Sequence, residues 1–255
     1  MGSRWPYRIY DTLTQKAAVL RAQAVVVSSM LEYQDAVRFG VDPPKLHVIP
    51  MGIDLPESSS PSENTDQPLR LLFVGRIARV RRLELILKAV SKLKLDWKLT
   101  IVGGEASTSS MTRGGYLDEL KTLASELGID QNVHWMGPVA PENLSPVYAE
   151  SDLFLYTSQY ENFGQPLLEA AAHGLPLLST RVGVAAELIT EGKTGFFIND
   201  DPETLSDRIM KLENSKGRQE MGEALRQKVA DQYSWESVIE QYLEIYRKLL
   251  PDNGL

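Results

Sequence analysis

Cysteine is absent from all 255 residues. Its absence removes disulfide frameworks, thiolate nucleophiles and the usual structural zinc sites, and it fits a reducing cytoplasmic setting. Histidine is nearly absent too. His47 and His134 alternate with apolar neighbours and His173 precedes a helix-ending glycine, so each reads as structural or surface-lying. The three are too scattered to form a metal site. No long hydrophobic run exists: the longest, such as 22–27 and 69–74, are far too short to span a bilayer. Met1-Gly2-Ser3 is not followed by an apolar signal core. Basic charge is in deficit as well, 27 Lys and Arg against 34 Asp and Glu, a net of −7. Chains that live on nucleic acid or anionic membrane usually carry the opposite sign. Nucleic acid is therefore not an expected partner, and membrane contact, at the inner face, is peripheral at most. No repeat of fixed period is visible.

What is present is ample apolar material, 43% of the chain, enough to bury a real core. Six short apolar blocks read as strands: Leu69–Val74, Trp97–Val102, 133–136, Leu153–Tyr156, 176–179 and 196–198. They are continuous rather than alternating, as in a parallel sheet covered on both faces. Between them apolar residues recur at helical spacing: Leu83, Ile86, Leu87, Val90 and Leu93, then Leu117, Leu120, Leu123, Ala124 and Leu127, with Gly128 as a stop. Strand and helix in alternation predict an α/β, doubly wound, Rossmann-like parallel sheet.

The first 55 residues differ. Helices are expected at 7–22 and Met30–Phe39 and short strands at 24–27 and 45–49, too little for a core of their own. Residues 56–68, with four serines, three prolines and no other apolar residue, read as a linker. The predicted organisation is a partial unit at 1–55, a linker at 56–68, a ligand-binding domain at 69–234 and a final helix within 235–255. That helix carries Val238, Ile239, Tyr242, Ile245, Tyr246 and Leu249 on one stripe, expected to pack on the first helices or to stay partly exposed.

In an open parallel sheet, ligands bind beyond the carboxyl ends of the strands. The turns there contain Gly75-Arg76 with Arg81-Arg82, Gly103-Gly104, Gly137-Pro138-Val139, the segment Ser158 to Pro166, and Thr180-Arg181-Val182-Gly183. Pro166 suits the first turn of a helix and Gly174 its end, so backbone N–H groups from Phe163 to Leu167 would be free to meet an anion. Glu161 precedes that helix and Glu169 lies one turn inside it. Carboxylates flanking an anion site make sense as acceptors for the hydroxyls of sugars attached to a phosphate. Read without the ligand, both glutamates are merely solvated helix-end groups, Arg76 a surface ion pair, and Arg79, Arg81 and Arg82 a solvated turn. Gly75 and Gly103 are then ordinary strand-exit glycines, and Tyr148, Phe154, Tyr156 and Trp135 core.

Glu161-Asn162-Phe163-Gly164-Gln165-Pro166-Leu167-Leu168-Glu169 resembles the Glu-x7-Glu signature of the family-4 retaining glycosyltransferases of GT-B fold. The similarity runs over about residues 24–250. It includes Pro50-Met51-Gly52-Ile53-Asp54, which resembles the segment joining that family's two domains, and Phe73-Val74-Gly75-Arg76, which resembles the opening of its donor domain. The resemblance implies a hexosyltransferase that takes a sugar from a nucleotide-diphosphate donor, a UDP-sugar by family frequency, with no metal and no cofactor. Arg76 and Arg81 would neutralise the diphosphate, with Gly75 and Gly103 in the turns beside it. Glu161 would hold the sugar hydroxyls, the amides of Phe163 and Gly164 would face sugar and phosphate, Glu169 would bind the ribose, and Val139 would pass the nucleobase. Retention implies front-face transfer in which the leaving phosphate deprotonates the acceptor. The pattern departs in two places: Arg81-Arg82 stands for the family's Lys-Gly, and Val184 for a second glycine after Gly183, either of which could reshape the loop. The acceptor-binding domain would need well over a hundred further residues, so an acceptor domain or partner chain is expected. Rival readings are a nucleotide-sugar-binding subunit or sensor, and a sugar-nucleotide epimerase, against which the intact Glu-x7-Glu weighs.

Overall fold

The computed structural model describes residues 16–56, 68–105 and 115–250. The expected linker falls almost wholly outside the described residues, as does most of the first expected helix, of which α1 (Lys16–Arg21) is described.

The first unit is one β–α–β crossover. Strand β1 (Val25–Val27) pairs in parallel with β2 (Leu46–Val48), and α2 (Met30–Phe39) connects them. Ser29 caps α2 by accepting from the Glu32 amide, and Gly40 ends it.

Six further strands form one parallel sheet: β3 (Leu69–Val74), β4 (Trp97–Val102), β5 (Val133–Gly137), β6 (Leu153–Tyr156), β7 (Leu177–Ser179) and β8 (Gly195–Phe197), in the spatial order β5-β4-β3-β6-β7-β8. The chain winds outward from β3 to β5, returns to the other side of β3 as β6, and winds outward again. The reversal opens a crevice between the carboxyl ends of β3 and β6. The helices α3 (Leu83–Val90), α4 (Tyr116–Glu126), α5 (Leu144–Ala149), α6 (Gln165–Ala172), α7 (Ala185–Leu188), α8 (Pro202–Lys211) and α9 (Ser215–Tyr233) accompany this sheet. Every residue of β6 is buried, which explains its unbroken apolar sequence. At the amino ends, Asp152 accepts three hydrogen bonds from Arg70, through backbone N, Nε and Nη2, at 2.8, 3.0 and 2.9 Å. That bidentate pair pins β3 to β6.

Helix α10 (Trp235–Leu249) returns to the first unit. Val238 and Ile245 pack on Ile49, with Ala24 against them, and the Trp235 ring fills the space a side chain at Gly52 would need. Among the described residues, the partners in this cluster lie at the strand ends of the first unit; most of the first expected helix lies outside the described residues. The rest of the stripe is uncovered, Ile239 and Tyr246 being 51% and 57% exposed. No helix of the described residues is long and apolar enough to cross a membrane.

Candidate functional site

The turn after β3 brings the first cationic groups to the crevice. Gly75 and Gly103 sit where two backbones nearly touch: a Cβ on Gly103 would lie 1.9 Å from the Gly75 carbonyl oxygen. Here glycine is required by contact rather than incidental. Arg76 is exposed and has no ion-pair partner among the described residues. Arg81 is buried at 7% exposure. Its Nη1 donates to Ser158 Oγ at 2.9 Å and to the Tyr160 carbonyl at 3.1 Å, and pairs with Glu161 Oε2 at 2.5 Å. Its Nε is buried without a partner among the described residues.

The turn after β6 carries the acid. Glu161 Oε2 also accepts from the Tyr156 hydroxyl at 2.7 Å. Burial pushes the Tyr156 phenol well above its ordinary value, Arg81 pulls it down, and Glu161 raises it again. The net result is a phenol that stays protonated and keeps donating. Beyond Glu161 two carbonyls of the loop are engaged: Ser29 Oγ donates to the Asn162 carbonyl at 2.9 Å, and the Val184 amide to the Phe163 carbonyl at 2.6 Å. The amides of Phe163 and Gly164 have no acceptor among the described residues. The loop after β7 holds this arrangement tightly, because Gly183, at φ +46°, would place a Cβ 2.1 Å from the Phe163 carbonyl oxygen.

One turn into α6, Glu169 Oε2 accepts from the Tyr148 hydroxyl at 2.7 Å. Burial and the neighbouring carboxylate raise Tyr148 well above its usual range. His173 stacks on Tyr148 at 5.1 Å. Its Nδ1 lies 2.8 Å from the Glu169 carbonyl and its Nε2 2.9 Å from Ser145 Oγ. A carbonyl only accepts, so Nδ1 carries the proton and Nε2 receives one from Ser145. Val139 follows β5 and is partly buried against the core.

The crevice thus brings together Arg81 and Glu161, with Phe163 and Gly164 on the same loop and Glu169 on the helix it opens; Gly75, Gly103 and Arg76 line the turn facing them. Three readings need correction. The solvated-turn alternative fails for Arg81 and Arg82, both buried, and holds only for Arg79, exposed and paired with Glu119. The run of free amides is shorter than expected: Pro166 has no N–H, and the Leu167 amide already donates to Gly164 O at 2.9 Å. Tyr148 and Tyr156 are core by burial, yet their hydroxyls orient both glutamates. For Tyr156, a tyrosine ending an otherwise apolar strand was the available signal. Ser29 was missed altogether. A cavity of about 600 Å³ beside β8 is lined by Phe197, Arg208 and, of the anticipated turn residues, Arg181 alone.

A family profile described as "Glycosyl transferases group 1" matches residues 56–228, more than half of the chain. The chain belongs to the group 1 glycosyl transferases. Similar proteins include a D-inositol 3-phosphate glycosyltransferase of Corynebacterium urealyticum, 31% identical over 95% of this chain and 61% of its own length. An N-acetyl-alpha-D-glucosaminyl L-malate synthase of Bacillus anthracis is 31% identical over 72% of this chain and 46% of its own. Among solved structures, sucrose-phosphate synthase from Thermosynechococcus elongatus superposes with a TM-score of 0.81 at 25% identity, covering 98% of this chain and 64% of that one. Anabaena HepE in complex with UDP and glucose superposes with a TM-score of 0.80 at 20% identity, covering 97% and 67%. These matches show the GT-B fold. The chain spans about three fifths of the length of the curated relatives it matches most fully.

As a group 1 glycosyl transferase the chain absorbs its two departures locally. Arg82 takes the left-handed conformation suited to glycine, at φ +51°, a strain of roughly 1 kcal/mol or more. Its guanidinium is engaged by other partners than Glu161, with Nε donating to the Thr157 carbonyl at 2.9 Å and Nη1 pairing with Asp200 at 2.5 Å. Val184 is helical, at φ −67°, so nothing there calls for glycine, and its side chain is fully buried.

Proposed function

We propose that this chain carries the donor-binding part of a retaining hexosyltransferase that uses a nucleotide-diphosphate sugar, with UDP-sugar favoured. The observation that carries the reading is the convergence at one crevice of the Arg81–Glu161 pair and two amides without acceptors among the described residues. Stabilising the charge that grows on a departing diphosphate is the main catalytic task, and fixed donors do it without reorganising. In this scheme Arg76, Arg81 and the amides of Phe163 and Gly164 take that charge, so protein groups alone suffice. Glu161 already accepts from Tyr156 and retains lone pairs for sugar hydroxyls, Glu169 for the ribose. Val139 lies beside the base. In transfer with retention, an acceptor oxygen bonds to the anomeric carbon on the face the phosphate leaves. The bond to the phosphate oxygen breaks, and the acceptor proton passes to that oxygen, so neither glutamate acts as a nucleophile.

The acceptor is assigned to a domain or partner chain that meets the first unit. The two-stranded parallel β1–β2 pair and the uncovered half of the α10 stripe support this, since neither is a self-sufficient surface in water. The test of the site is a split between its two acids. Glu161→Ala abolishes transfer and leaves nucleotide affinity close to the parent's, whereas Glu169→Ala weakens nucleotide binding. Equal nucleotide affinity for Glu169→Ala and the parent would remove the ribose assignment.

A further inference from the structure

We infer that Ser29, contributed by the first unit, is a positioning residue for the donor-facing amide of Phe163; the inference rests on the function proposed above for that loop. Ser29 lies 133 residues from Asn162 in sequence and is fully buried against it. Its hydroxyl has one proton, donated to the Asn162 carbonyl at 2.9 Å, and it accepts from the Glu32 amide at 3.2 Å. The Asn162 carbonyl and the Phe163 N–H belong to one trans peptide, in which the two groups point in opposite directions. Holding the carbonyl toward Ser29 therefore aims the Phe163 N–H away from the first unit. The same logic one residue on fixes the Gly164 N–H, whose peptide partner, the Phe163 carbonyl, is held by the Val184 amide at 2.6 Å. Two consecutive amides are thereby left without acceptors and aimed by bonds made on their opposite sides, a preorganised pair of the kind that stabilises a developing anion. One bond comes from within the donor domain. The other crosses from the first unit, which makes the donor loop sensitive to how that unit is seated.

A second tie shows that the seating does not depend on the hydroxyl alone. The Met30 amide donates to Glu187 Oε1 at 2.8 Å, so removing the Ser29 side chain leaves the two units joined. Ser29→Gly is the suitable variant, because glycine at a helix N-cap costs only a few tenths of a kcal/mol relative to serine. Ser29→Thr restores the hydroxyl.

The experiment titrates parent, Ser29→Gly and Ser29→Thr with UDP, GDP and ADP and with the matching monophosphate of whichever binds. It also records the Asn162 carbonyl carbon by NMR without ligand. The expected result is an upfield shift of that carbon in Ser29→Gly and a two- to tenfold loss of diphosphate affinity, about the worth of one hydrogen bond. Monophosphate affinity stays unchanged, and Ser29→Thr recovers both readouts. An unmoved Asn162 carbon, unchanged diphosphate affinity, or equal losses of di- and monophosphate would overturn the inference, the last marking a merely structural role. A parent that binds no nucleotide overturns the underlying functional reading and the role of the amide with it. The carbon shift then still decides whether Ser29 orients the peptide.

Discussion

Replacing Gly183 with alanine tests whether the loop after β7 sets the donor loop's position. At φ +46° an alanine pays backbone strain of about 1 kcal/mol. The larger effect is steric. The new Cβ would stand 2.1 Å from the Phe163 carbonyl oxygen, 2.7 Å from its carbon and 3.2 Å from Glu161 Cγ. Carbon and oxygen do not approach closer than about 3.3 Å, so the Phe163 peptide must retreat by roughly 1 Å, breaking the 2.6 Å bond from Val184. Overpacking in a tight site costs about 1–3 kcal/mol, giving a total near 2–4 kcal/mol. At about 2–4 °C per kcal/mol for a chain of this size, the Tm falls by roughly 4–16 °C. Because the Gly164 amide turns with the displaced peptide, diphosphate affinity falls about tenfold or more, and monophosphate affinity less. Gly192→Ala is the control: it shares the positive φ, at +74°, but the nearest atom to its Cβ is an ordinary 3.8 Å away. It loses a little stability and no affinity. Scanning calorimetry and isothermal titration read both quantities. A Gly183→Ala chain with the parent's Tm and diphosphate affinity would refute the reasoning.

Other outcomes follow from the same structure. Burial lowers His173 below its ordinary value near 6.5. The unfolded chain then binds more protons between the two pKa values, so His173 stability is present above about 6.5 and is lost as the pH falls below it. A Tm series against pH should show a smaller acid loss in His173→Gln than in the parent. Asp152→Ala strands three Arg70 donors at the β3–β6 seam and should cost about 2–4 kcal/mol in urea unfolding. Since that pair lies at the amino ends of the strands, nucleotide affinity should be unaffected. For the acids, Glu161→Ala should abolish transfer and spare nucleotide affinity, which titration and a transfer assay separate from the binding loss expected of Glu169→Ala.

The sheet was legible because parallel strands covered on both faces are largely apolar: Leu69–Val74, Trp97–Val102 and Leu153–Tyr156 fall where the apolar blocks predict them. Of the other three, β5 gains Gly137, β7 drops Pro176, which has no N–H to pair, and β8 gains Gly195 and drops Ile198. Charged residues and glycines at strand exits marked the crevice for the same reason. What stayed hidden depends on contacts far apart in sequence. Nothing local distinguishes Ser29, an ordinary helix cap, from a serine that also reaches Asn162. Nor does Tyr156 announce that its hydroxyl leaves the core for Glu161. Arg82 differs in the other direction: its charge suggested a solvated turn, whereas the residue is buried and bonded to Thr157 and Asp200.

The central claim, that the crevice between β3 and β6 binds a nucleoside diphosphate, is tested most directly by titrating the purified chain with UDP, GDP and ADP beside Arg76→Ala. Arg76 is exposed at the crevice, and no described residue neutralises it, so its removal should leave the fold intact. The account predicts saturable binding of one nucleotide, lost in Arg76→Ala at an unchanged Tm. Binding that Arg76→Ala retains in full, or no binding of any of the three, would contradict it.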